Sequence, residues 1–161
     1  MNTGQMLITI GAIAIMSMII LNINRGFLTT GFTLAETKYE VLAVSLATSL
    51  LEEATGKAFD ENTDTNSVSS LSELSTYLRP ENESFPNFDD IDDYNNLNIT
   101  NNSLPSAEFN IQCKVVYVSS GNPNSTSASR TWHKKISVTV SSPSMSDTVR
   151  LSTIFSYFYF R

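Results

Sequence analysis

The hydrophobic and polar positions divide this chain into three regimes. Met6–Ile23 reads MLITIGAIAIMSMIILNI, uncharged, with Thr9, Ser17 and Asn22 as its polar interruptions. At ~1.5 Å of rise per residue, a helix of that length covers about 27 Å, close to the hydrocarbon core of a bilayer. A helix against a soluble core needs a polar stripe. One that is apolar all round suits lipid or the middle of a bundle. Met6, Leu7, Ile8, Ile10, Ile13, Ile15, Met16, Met18, Ile19, Ile20 and Leu21 make up this predicted membrane or filament-core helix.

The second regime is amphipathic. Leu34, Tyr39, Leu42, Leu46 and Leu50 recur at mostly helical spacing, and Ala35, Ala43, Ala47 and Ala54 widen the stripe. Glu36, Lys38, Glu40, Glu52 and Glu53 fall mainly off it, and Gly56 offers a left-handed C-terminal cap. Gly26 and Gly31 are predicted weak points between the regimes, and Thr33 followed by Glu36 offers a capping box. A nearly continuous stalk over residues 5–55 is the preferred reading; an anchor helix plus a separate core helix is the alternative.

The third regime alternates. After an Asn-, Asp-, Ser- and Thr-rich stretch from Phe59 to Pro105, with a short helix expected around Ser70–Leu78, period-2 strands begin. Phe109, Ile111, Cys113, Val115 and Tyr117 mark the first; Trp132, Ile136, Val138 and Val140 the second; Val149, Leu151, Thr153, Phe155 and Tyr157 the third. Ser119–Ser129 reads as a loop. The predicted fold class is α+β, a long N-terminal apolar helix packed against a C-terminal antiparallel β-sheet. The expected organisation is a short leader at 1–4, the helix and its amphipathic continuation at 5–56, a connecting region at 57–105 and a sheet head at 106–161. The closing aromatic run FSYFYF is expected to fill the helix–sheet interface.

Charge and rare residues narrow the chemistry. A net charge of −6 argues against a nucleic-acid surface, which needs clustered Lys and Arg, so no nucleic-acid partner is expected. With one cysteine, Cys113, no internal disulfide can form, and with one histidine, His133, a His-rich metal site or a histidine-based triad is close to excluded. Cys113 reads as a small buried residue. Asp89, Asp90, Asp92 and Asp93 offer hard oxygen ligands of the kind Ca²⁺ takes, though without EF-hand spacing; solvated charges capping a turn are the competing reading. No other cofactor and no enzymatic activity are expected. Asn82, Asn98, Asn101 and Asn124 head Asn-x-Ser/Thr triplets, as chance allows in so Asn-rich a chain.

Three stretches carry a resemblance. LATSLLEEATGKAFDE (Leu46–Glu61), FDDIDDYNNL (Phe88–Leu97) and KKISVTVSSPSMSDTVRLSTIFSYF (Lys134–Phe158) are similar to segments of type IV pilin-like proteins and pseudopilins, closest to minor pilins of the mannose-sensitive haemagglutinin pilus group. The resemblance implies a structural subunit of an extracellular filament, anchored in the inner membrane before assembly and joined to like or related subunits through its N-terminal helix. The head would then be extracytoplasmic. TGFTLAE (Thr30–Glu36) looks like a prepilin cleavage site, but cutting after Gly31 would discard the apolar segment. Cleavage between Gly4 and Gln5 would place that segment directly after the cut, with Thr9 at the fifth position where the family carries glutamate. Ordinary signal cleavage is disfavoured, since the exit Asn22–Arg25 lacks a small-x-small pattern. The basic flank at Arg25 leaves orientation open. The alternative function is a single-pass, membrane-anchored binding or adhesin-like module that never polymerises.

Overall fold

The computed structural model describes residues 2–105 and 107–158. It comprises two units, Met1–Lys38 and Tyr39–Arg161. One helix, α1 (Thr3–Thr55), contributes to both. Gly26 and Gly31 lie in unbroken helical backbone, so the expected weak points do not interrupt it. Thr33, expected as a cap, sits in mid-helix and donates its hydroxyl to the Thr29 carbonyl at 3.0 Å. A cap needs orphan amides ahead of it, and here the preceding turns already supply the partners. No described glycine has a positive φ, so the chain leaves α1 at Gly56 without the left-handed cap.

In the second unit, Ala43, Ala47, Leu50 and Ala54 of α1 are buried, with Tyr39, Leu42, Leu46 and Leu51 partly so. Three of the four alanines expected to widen the stripe, Ala43, Ala47 and Ala54, are thus its deepest line, while Ala35 lies in the first unit and is only half-buried. Small side chains let the helix backbone approach the bulky sheet face, and the leucines flank the contact. Leu34, expected on the same stripe, lies in the first unit and is 71% exposed.

The sheet is antiparallel, ordered β1 (Asn98–Asn101), β2 (Phe109–Ser119), β4 (His133–Ser141) and β5 (Val149–Ser156), with β3 (Asn122–Thr126) pairing on β2. The fold class is α+β, as the pattern of the chain predicts. β2, β4 and β5 are the three expected strands. β1 and β3 are additions, so the sheet begins upstream of residue 106 and the Ser119–Ser129 loop contains a strand. NITN and NPNST have almost no apolar alternation; they are strands because β2 offers them backbone partners. In place of a helix around Ser70–Leu78 there is a 3-10 turn, Leu71–Glu73, closed by a capping box between Ser70 and Glu73.

Register aligns the inner face: Cys113 pairs with Val138, Val115 with Ile136 and Tyr117 with Lys134. Phe109, Ile111, Val115, Ile136, Val138 and Val140 are at most 4% exposed. The stretch expected to be a connecting region with modest core content supplies Phe59, Val68, Leu74, Phe88, Ile91 and Tyr94 to the same core. Among the closing aromatics, Phe155 and Tyr157 are buried and Phe158 is exposed, while Tyr159 and Phe160 lie outside the described residues.

Candidate functional site

Two features stand out, one in each unit. The first is the surface of α1 over the apolar segment. Met6, Leu7, Ile8, Ile10, Ile13, Ile15, Met16, Met18, Ile19, Ile20, Leu21 and Ile23 are each more than half exposed. At about 1.5–3 kcal/mol per large side chain, keeping this set in water costs on the order of 20 kcal/mol. That exceeds the ~5–15 kcal/mol net stability of an ordinary domain. The helix is long and apolar enough to cross a membrane. Its hydroxyls suit an apolar surrounding: Thr9 donates to the Gln5 carbonyl and Ser17 to that of Ile13, at 2.5 and 2.8 Å. Gly4 and Gln5 lie in the first turns of α1, and Thr30–Glu36 lies well inside it.

The second feature is an ionic knot inside the head. Lys134 is the inward-facing residue that continues the line of Ile136, Val138 and Val140 on β4, and it is fully buried. Its Nζ donates to the Phe59 carbonyl at 2.7 Å, to Oδ2 of Asp60 at 2.8 Å and to Oδ2 of Asp92 at 2.7 Å. The aromatic faces of Phe59 and Tyr117 lie 4.5 and 5.2 Å away. Asp60 also accepts from the Ser75 amide and hydroxyl, and Tyr117 donates to the Ser75 carbonyl at 2.8 Å. One ammonium therefore gathers two separate stretches of the polar middle region onto the sheet, and Asp60 and Tyr117 fasten a third at Ser75.

Two carboxylates share that single cation. Burial alone would raise the pKa of Asp60, but attraction to Lys134 and the hydrogen bonds from Lys134 and Ser75 outweigh it and hold it below the ordinary carboxylate value. Asp92 is pushed up to about 8: burial dominates, Lys134 pulls it down, and Asp90 opposes that pull. Burial and the neighbouring Asp93 raise Asp90 to about 7. Negative charge exceeds positive in this interior, which is why the pKa values of Asp90 and Asp92 are raised even beside Lys134.

The four aspartates singled out from sequence are thus divided among different tasks. Asp92 holds Lys134. Oδ1 of Asp90 accepts from the Asp92 amide at 2.6 Å and the Asp93 amide at 3.2 Å, shaping the 3-10 turn Asp92–Tyr94. Asp93 accepts from the amides of Asp89 and Asp90. Asp89 is exposed. Three of the four are buried, so solvated charges do not describe them, although a turn is indeed capped. Among the described residues, the carboxylates close enough to share one metal ion are Glu81, Glu83 and Asp93. Glu81 and Glu83 carry no local sequence signal that separates them from other acids. Lys134 did carry one, because the alternation of β4 assigns it to the buried side.

Burial pushes the Cys113 thiol up to about 12, consistent with a small core residue rather than a nucleophile. A shallow polar groove on the outer sheet face is lined by Gln112, Lys114, Ser137, Thr139 and Arg150, among others. Comparisons with family models, with curated proteins and with solved structures return no match.

Proposed function

We propose that this chain is a structural subunit of a type IV pilus-like extracellular filament, held in the membrane by the apolar part of α1 before assembly and packed against like helices afterwards. The exposure of Met6–Ile23 carries this reading, since that surface calls for lipid or other helices around it. The helical backbone supports it further. A tether for a binding module tolerates an irregular linker, whereas here Gly26 and Gly31 are both helical. Exchange of lipid for helix neighbours gains little from apolar burial, because lipid already hides the same atoms. Assembly must then draw on close helix packing and on an external energy source.

Cysteine cross-linking tests the proposal. Cys113 is buried, so a cysteine introduced as Ile13→Cys becomes the reactive thiol. In filaments sheared from the cell surface, oxidation should give ladders of cross-linked copies, or adducts with related subunits. Mass spectrometry should find the chain beginning at Gln5. A chain confined to the membrane fraction, cross-linking to nothing and unaffected by loss of the assembly motor, would establish the membrane-anchored binding module instead.

A further inference from the structure

The geometry points to a Ca²⁺ site formed by Glu81, Glu83 and Asp93 in the head. One carboxylate oxygen from each lies within 4.8 Å of the other two. Ligand oxygens at 2.3–2.6 Å from Ca²⁺ stand up to about 5 Å apart across the ion, so the three fit one coordination sphere. Asp93 provides the independent sign of a ligand. It is 1% exposed, and its Oδ1 is buried with no hydrogen-bond partner. A buried carboxylate oxygen left unpaired is costly, and a cation removes that cost.

The site is built asymmetrically. Asp93 is fixed: its Oδ2 accepts from the amides of Asp89 at 3.1 Å and Asp90 at 3.4 Å. The turn that carries it is held on one side by Asp92 against Lys134 and on the other by Tyr94, which donates to Glu53 at 2.8 Å. Glu81 is exposed and Glu83 half-buried, so two ligands come from a segment open to solvent, with room for water ligands. Ca²⁺ accepts such irregular geometry, whereas Mg²⁺ demands a near-ideal octahedron. Zinc is disfavoured by a set of oxygen donors alone.

The surrounding charge favours the same ion. Glu81 has Asp93, Glu61 and Glu83 as like-charged neighbours, against which Arg79 is the opposing cation. A divalent cation among these groups turns mutual repulsion into attraction.

Thermal unfolding and titration calorimetry of the full chain in detergent micelles test the site, with CaCl₂, MgCl₂ or EDTA present. Saturating Ca²⁺ should raise the Tm of the head by about 5–10 °C over EDTA. Mg²⁺ at the same concentration should give less than half of that. Asp93→Asn should abolish the response. The double variant Glu81→Gln, Glu83→Gln changes one exposed and one half-buried group and keeps the test decisive if the buried substitution misfolds; it should weaken Ca²⁺ binding at least tenfold. Asp147→Asn, at a distant exposed acid, should leave the response intact. An unchanged Tm with Ca²⁺, an equal effect of Mg²⁺, or a full response in the double glutamine variant would each overturn the assignment.

Discussion

Lys134 and Asp92 meet where neither side chain touches water: Nζ lies 2.6 Å from Oδ1 and 2.7 Å from Oδ2. Desolvating two such ions is expensive, and replacing an intact buried pair with apolar groups is often neutral. Removing only one member is a different matter. It leaves an uncompensated charge in the interior.

Lys134→Met should therefore destabilise the head by about 3–5 kcal/mol, because Asp60 and Asp92 lose their shared cation. Combining it with Asp60→Asn and Asp92→Asn should recover much of that loss. Urea unfolding followed by Trp132 fluorescence measures both. A loss below about 1 kcal/mol in the single variant would mean that the knot does not organise the core.

Asp60 gives a pH signature. Its folded pKa lies below that of the unfolded chain, so its contribution is present above about pH 4 and disappears as pH falls through the folded value. The stability difference between the native chain and Asp60→Asn should accordingly be large at neutral pH and close progressively below about pH 4. Denaturant midpoints across that range provide the comparison. A difference that grows on acidification would contradict the assigned direction.

The helix–sheet contact depends on small side chains. Ala47 is fully buried, and Ala47→Phe should cost about 1–3 kcal/mol or shift the helix, since the core has no room for added volume. Leu34→Ser should change head stability by less than about 0.5 kcal/mol, because Leu34 is exposed and lies in the other unit. Calorimetric Tm values separate these outcomes.

The apolar segment should tolerate charge poorly. Ile13→Arg places a guanidinium near the middle of Met6–Ile23, at a cost of about 2.5–3.5 kcal/mol for membrane insertion. Carbonate extraction should then release a much larger share of the chain from membranes than the native sequence does. Equal retention would argue that this stretch does not reside in lipid.

How much of this was legible beforehand depended on the range of the interaction. The apolar run, the heptad-like spacing of Ala43, Ala47, Leu50 and Ala54, and the alternation of β2, β4 and β5 are local patterns, each set by the period of the element it forms. They determined the helix, its two chemical halves and the antiparallel sheet. Even the inward position of Lys134 follows from the parity of its strand.

Tertiary structure decided the rest, because it concerns partners far apart in the chain. Nothing local marks Asp60 and Asp92 as interior groups; Lys134, from a strand more than forty residues downstream of either, draws them inside. Asn98–Asn101 and Asn122–Thr126 become strands only because β2 presents unpaired backbone groups beside them. The carboxylates close enough to share an ion are Glu81, Glu83 and Asp93 rather than the four aspartates, since the ammonium captures Asp92 and the turn uses Asp90. Local periodicity specifies which side of an element is greasy; only folding specifies which charges must share the interior, since that depends on where their counterions land.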